Sequence, residues 1–511
     1  MKSTRLLLLS GLLLALPAIA SAQSPLSAID WLSDSIRQPE TVLPQPVPDQ
    51  EPTGALPGPV TVQPIEGPRP DAVGLLPLSV TGLPADLWQG SSTSSVAARF
   101  RSEKANLIPA TQDLYYLLLL AELDPPSDAS AKPDLLLARV DALLALGAVE
   151  QAGALIERAG SNDPEVFRRK FDIALLLQDI DPVCAQMRSS PSISPTFTAR
   201  VYCLARGGDW SGAALSLETG RALGFVSDAE DQLLAHFLDL GLDEDTPPLP
   251  LPERPTPLEF RIYEAIGRPL PTSGLPLAFA HSDLHSFSGW KAQISAAERL
   301  VKHGALDPNR LWGLYTEQKP AASGGVWERA KSIQGLDASL LSFDPAYLGP
   351  SVLQAWEDMS AIELEVPFSR TYCARLIGRH LTGDAAHVRF VMCMLAGTTP
   401  DQLTRPASLG RVEELALAIT TGDLANAKPV NAFERAIVAG FAANRIPTRL
   451  QSLVQDGRKG EAALRSIDLL SGGATGDLDE LTDALAFLRL SSFTETARRA
   501  VIELLFLERR G

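Results

Sequence analysis

Three short stretches carry residue types at spacings that could do chemistry. Ser288-Gly289-Trp290-Lys291 matches the SxxK pattern, in which a lysine one helical turn away activates a serine nucleophile. That chemistry also needs SDN-like and KTG-like elements, and the chain has neither, so a four-residue coincidence is expected. His281-Ser282-Asp283-Leu284-His285 offers two imidazoles at i and i+4, which share a helix face and suit a metal. No HExxH glutamate or obvious third ligand accompanies them. The plainer expectation is a helix start capped by Ser282 or Asp283, with both histidines in solvent. Asp477, Asp479, Glu480 and Asp483 imitate a calcium loop, but Thr482 and Leu488 stand where that loop needs glycine and glutamate. Acids opening a helix after Gly476 account for the cluster better. GxSxG, P-loop and GxGxxG signatures are missing. The expectation is a chain without catalytic residues, metal or cofactor.

A binding reading rests on aromatics instead. In residues 306–334, the loop Pro-Ala-Ala-Ser-Gly-Gly is flanked by Trp312, Tyr315 and Trp327. With Trp290 and Trp356, four of the seven tryptophans fall within 67 residues. On a concave helical face such rings would suit a peptide or glycan. Between helices they would fill gaps in the core. Both readings stand at this point.

The elements that must position these groups are helices. The 511 residues are 45% hydrophobic but only 6% aromatic, with Leu and Ala prominent, which favours helix over strand. Sixty-one acidic against 45 basic side chains give a net charge of −16, which argues against nucleic acid, whose phosphates need clustered Lys and Arg. Residues 135–146 carry apolar positions at helical spacing between Pro133 and Gly147, and a second helix follows over 148–159. Two helices so close must form an antiparallel hairpin.

The four cysteines fit the same rhythm. Cys184 and Cys203 lie 19 apart, and Cys373 and Cys393 lie 20 apart, as expected of partners on adjacent antiparallel helices. Such neighbours reach disulfide distance, so bridges 184–203 and 373–393 are expected, each worth roughly 3 kcal/mol in the chain-entropy view. Zinc is the rival reading, but no CxxC or Cys-His cluster occurs. Unpaired buried thiols are the other alternative.

The chain begins with Lys2 and Arg5, an apolar run over 6–19 and Ala20-Ser21-Ala22, which predicts a secretory leader cleaved after Ala22. The run is short for a bilayer span, and no later stretch approaches 18 uncharged apolar residues, so no membrane span is expected after cleavage. Ten prolines between residues 39 and 70 predict an extended linker. Ahead of it, 27–37 reads as an amphipathic segment around Trp31, either a docking peptide or a strap on the protein's own body. Residues 74–95, apolar yet broken by Pro and Gly, read as an irregular strap. A second Pro-rich break lies at 244–257. The expected organisation is a signal peptide (1–22), a linker and strap (23–98), a first helical half (99–243), the break, and a second half (258–511).

The stretch LALGAVEQAGALIERAGSNDP, with Gly147 at the turn, Ala152 and Ala159 seven apart, Ile156 between them and Pro164 closing, resembles a tetratricopeptide repeat. Arg139 and Val140 depart from it, standing where Leu and a small residue are usual. The unit from Cys203 repeats the turn-then-Ala logic through Gly208, Ala213, Leu217 and Gly220, and 417–427 shows it faintly. The resemblance implies an all-α, tetratricopeptide-like α-solenoid of antiparallel hairpins in two halves, preceded by a Pro-rich irregular arm. Leader, Pro-rich stretch, degenerate repeats and LYTEQKPAASGGVW together resemble an uncharacterised family of exported alphaproteobacterial proteins, some labelled "antifreeze". Ice binding wants a flat regular Thr or Ala array, which this chain lacks. The plan is also similar to motility proteins of the MotC type.

The function expected is a non-enzymatic periplasmic scaffold binding envelope proteins, with acidic charge favouring partners that carry basic patches. One alternative is a peptidoglycan-binding or transglycosylase-like accessory, although the Glu-Ser and Gly-Leu-Met-Gln motifs of those enzymes are missing. Another is a motility-associated protein.

Overall fold

A computed structural model describes residues 69–104, 107–239, 249–342 and 345–507. The leader, the linker and the segment 27–37 lie outside the described residues, as do residues 244–248 of the 244–257 break. Within the described residues the fold is all-α, with no strand and a single isolated bridge between Leu76 and Ala121. No helix there is long and apolar enough to cross a membrane.

Several consecutive helices pair as hairpins across a glycine turn. Asp134–Ala145 and Val149–Ala159 are joined through Gly147 at φ +77°. A Cβ there would also sit 2.6 Å from the Leu277 side chain, so glycine is needed twice over. Ala152 and Ala159 are buried. The faint third unit differs. Arg411–Thr421 stops at Gly422 (φ +80°), and the next helix begins only at Ala432.

The architecture is organised by one enclosed helix. Pro109–Leu120 (PATQDLYYLLLL) is apolar around most of its circumference, and none of its residues is exposed. It packs against Asp134–Ala145 on one side and against Thr494–Phe506 and Lys459–Ala474 from the far end of the chain on others. The early and late parts of the chain therefore meet in a seam. Glu503 Oε2 accepts from Ala110 N at 2.7 Å, capping Pro109–Leu120 from 393 residues away. Asp113 pairs with Arg370 at 2.6 Å and also with Arg499. Ser95 donates to Glu461, which Arg458 grips at 2.7 Å. Trp88 fills the space that a Cβ on Gly460 would occupy.

Arg139 closes the other end of the enclosed helix. Its Nε donates to Leu119 O at 2.6 Å, Nη2 to Ala121 O at 3.1 Å and Nη1 to Val73 O at 2.6 Å. The departure from the repeat pattern thus has a physical reason: the guanidinium terminates one helix and pins residues 70–76 in the same act. Asp71 Oδ1 accepts Leu136 N at 2.8 Å beside it, and burial pushes the Arg139 pKa down to about 10. Gly74 lies so close to Ala121 and Glu122 that a Cβ would be 2.2 Å from Glu122 N. Arg261, on Leu175 and Leu176 carbonyls, and Arg379, on Leu340 O, repeat the device, a cation laid on a helix C-terminus.

The largest core runs from Leu83 to Leu504, on both sides of 244–257. A second, from Phe167 to Tyr263, surrounds Cys184 and Cys203. A small third one joins Val366 and Phe390 to Ile502 and Leu507.

Candidate functional site

The aromatic residues are brought together as packing, in two groups. Trp312, 7% exposed, donates Nε1–H to Thr371 Oγ1 at 2.9 Å and lies 6.1–6.4 Å from the Phe368 and Tyr372 rings. Tyr315 is buried, its hydroxyl donating to Glu298 at 2.7 Å while Arg329 binds both Glu298 oxygens at 2.6–2.7 Å. Burial raises its pKa well above the usual value. Trp290 and Trp327 stand apart from these, rings 5.0 Å from each other and half-buried, with Trp290 Nε1–H on Leu314 O at 2.8 Å. Trp356 is half-buried between the largest and smallest cores. The expected binding surface is corrected to that extent. Trp312 and Tyr315 face the interior, because large rings with one polar tip are most favourable where a single hydrogen bond satisfies them.

The decoys resolve similarly. Ser288 precedes Trp290–Lys302, in which Lys291 sits, so serine and lysine share no helix. His281 is not solvated. It lies buried in the 3-10 segment Leu277–Leu284, with Nε2 2.7 Å from Gly147 O, where burial lowers its pKa. His285 stacks on Phe287 at 5.6 Å. Asp477 caps Leu478–Leu490 through Glu480 N, while Glu480 and Asp483 hold Arg449. Among the described residues no group of three or more His, Cys, Asp or Glu is placed to hold a metal.

Both expected cysteine pairs come to disulfide distance. Cys184 and Cys203 have sulfurs 1.97 Å apart and Cys373 and Cys393 2.04 Å, each with Cα atoms 5.1 Å apart. The first pair ties Asp181–Ser189 to Phe197–Arg206, and the second ties Glu365–Leu376 to Asp384–Leu395.

Two shallow clefts are present. One of about 340 Å³ is lined by Gly349, Pro350, Leu353, His380, Thr382 and Asp384. The other, about 280 Å³, lies between Asp181, Arg188, Arg206 and Gly207, and its Arg206 is engaged by Asp181 at 2.8 Å.

The feature that sequence reasoning missed is an open edge. Trp210–Ala222 buries Ala213, Leu217 and Gly220 on the stapled Phe197–Arg206 helix, and Phe197 occupies the space that a Cβ on Gly220 would need. Its opposite face has no packed partner among the described residues. Trp210 is 53% exposed, Leu215 71%, Leu223 60% and Phe225 44%. Trp210 leans on Phe237 at 6.1 Å, and Phe225 leans on Phe197 at 5.9 Å. The signal was partial: Leu215 stands off the Ala213, Leu217, Gly220 stripe, whereas Trp210 is in line with it at the helix start and Leu223 and Phe225 follow the helix.

Comparison with protein-family models, with curated proteins and with solved structures gives no match for this chain.

Proposed function

We propose that this protein is a non-enzymatic scaffold of the periplasm, exported by its leader, that holds other envelope proteins on its helical body. The observation that carries this is the open edge of Trp210–Ala222, where four large apolar side chains lie exposed on a platform stapled by Cys184 and Cys203. An exposed apolar group of this kind contributes nothing to folding and is suited to association. The cysteine pairs fit an oxidising, exported location. The repeat-like hairpin at Gly147 supports a body made for display rather than chemistry.

The test is affinity purification of the exported protein from crosslinked cells, with mass spectrometry of what co-elutes. One stoichiometric envelope protein is expected, and it should be lost from a Leu215→Ser, Leu223→Ser variant. Recovery of peptidoglycan fragments alone would overturn the scaffold reading in favour of a glycan-binding accessory.

A further inference from the structure

Resting on that scaffold reading, the charge around the open edge points to the chemistry of its partner: we propose that the edge docks a basic amphipathic helix of another envelope protein. Residues 207–239 carry six carboxylates, those of Asp209, Glu218, Asp228, Glu230, Asp231 and Asp239, against one guanidinium. That guanidinium, Arg221, is already taken up by Glu218 at 2.9 Å and Asp231 at 2.7 Å. Within 207–239 the exposed apolar residues thus share their stretch of chain with six carboxylates and one cation that is already paired.

At 3.6 residues per turn, Trp210 and Leu215 stand about 140° apart around the helix, and Ser211, Ala214, Glu218, Arg221 and Ala222 fall in the arc between them. The exposed Glu218–Arg221 pair lies within that arc, and Leu223 and Phe225 carry exposed apolar surface beyond the helix end. A helix with apolar residues at i, i+3, i+4 and i+7 and Lys or Arg beside them matches both properties at once.

The same charge argues against the other occupants. A second copy offering this edge would set six carboxylates against six. An anionic membrane surface would be repelled. The chain's own segment 27–37 carries Asp30 and Asp34 against Arg37 alone, so it lacks the complementary charge.

The test uses the full exported chain and fluorescent synthetic 18-residue helices. One is built of Leu, Ala and Lys with a continuous apolar stripe, a second has Glu in place of Lys, and a third is the Lys peptide scrambled to destroy the stripe. A fourth peptide has the sequence of residues 27–37. The striped Lys peptide is expected to bind at least about tenfold more tightly than the others and to weaken severalfold from 50 to 500 mM NaCl. Leu215→Ser with Leu223→Ser should weaken it about tenfold, and Asp228→Lys with Asp239→Lys should weaken it while improving the Glu peptide. All four positions are exposed, and circular dichroism checks that the variants remain folded.

Equal binding of striped and scrambled Lys peptides would overturn the proposal, as would unchanged affinity in the leucine variant, preference for the 27–37 peptide, or self-association removed by Leu215→Ser. Failure here is distinguishable from failure of the scaffold reading. If crosslinked capture still recovers an envelope protein from the leucine variant, the scaffold stands on another surface and the basic-helix proposal falls. If capture yields only glycan fragments, the scaffold reading falls whatever the peptides do.

Discussion

At the seam, Pro109–Leu120 has no exposed residue, and charged groups are buried against it: Glu503 on Ala110 N at one end and Arg139 on the Leu119 and Ala121 carbonyls at the other. At the open edge the arrangement is reversed, with Trp210, Leu215, Leu223 and Phe225 exposed and six carboxylates in the same stretch of chain. Burying a charge is costly unless it meets hydrogen-bonding groups, and helix termini supply them. Exposing apolar area is also costly, and nothing in the described fold offsets it at the edge. Seam residues should therefore report on stability and edge residues on association.

The largest effect is expected from Arg139→Ala. The change strands three carbonyls and frees residues 70–76 from the body, a loss of about 3–5 kcal/mol by analogy with buried charged partners removed singly. Chemical denaturation should show a lower midpoint, and limited proteolysis should cut near residue 73 first. An unchanged midpoint would mean that the guanidinium is not what closes the enclosed helix. Trp312→Ala comes next, at about 3–5 kcal/mol for an emptied aromatic site, with partner affinity per folded molecule unaltered. A lost affinity with normal stability would return Trp312 to the list of binding residues.

Replacing Cys184 and Cys203 by alanine should cost roughly 3 kcal/mol and loosen the platform beneath the edge more than the distant seam. Hydrogen exchange would show faster amides in Phe197–Arg206 and Trp210–Ala222 while Pro109–Leu120 keeps its protection. Uniform loosening would show that the two regions are not independently stabilised.

The seam also has a pH signature. Burial pushes the Glu503 carboxyl up to about 7 from its usual 4.5, Arg499 and Arg370 opposing and Asp113 adding to the rise. The folded state then holds a proton that the unfolded chain releases above pH 4.5. This contribution is full below pH 4.5 and is lost as pH rises through 7, at up to about 1.4 kcal/mol per pH unit. His281 and His285, held below the usual 6.5 by burial, act with the opposite sign, losing stability as pH falls. The informative quantity is therefore the difference between Glu503→Gln and the parent. It should move in favour of the variant by about 2 kcal/mol between pH 5 and pH 8, read from denaturation midpoints. A flat difference would mean that Glu503 is ionised and solvated in the fold.

How much of this was legible in the sequence depended on distance along the chain. Gly147, Pro133 and Pro164 mark the first hairpin locally, and cysteine separations of 19 and 20 carry their pairing, because neighbouring antiparallel helices impose that spacing. The seam was not legible. Glu503 and Ala110 meet across 393 residues, and no periodic pattern encodes which terminus a carboxylate will cap. Arg139 was visible as an anomaly in the repeat but not as an anchor, since its acceptors lie on two other segments. The aromatic run stayed undecided for a simple reason. Trp312 and Tyr315 at i and i+3 share a helix face whether that face looks in or out, so spacing alone cannot choose.

The smallest effect on stability, and the sharpest division between the two regions, is expected from Leu215→Ser. At 71% exposure the side chain makes little contact with the core, and the helix keeps its buried stripe of Ala213, Leu217 and Gly220, so stability should change by less than about 0.5 kcal/mol. Partner recovery should nonetheless fall, because removing one apolar residue from a small docking strip takes away a large share of the area that association can bury. Denaturation midpoint and captured partner measured on the same preparation decide the matter. A stable protein with weakened capture sets the edge apart from the seam as an association surface. A destabilised protein with normal capture per folded molecule would make Leu215 part of the core's support, and the contrast between seam and edge would dissolve.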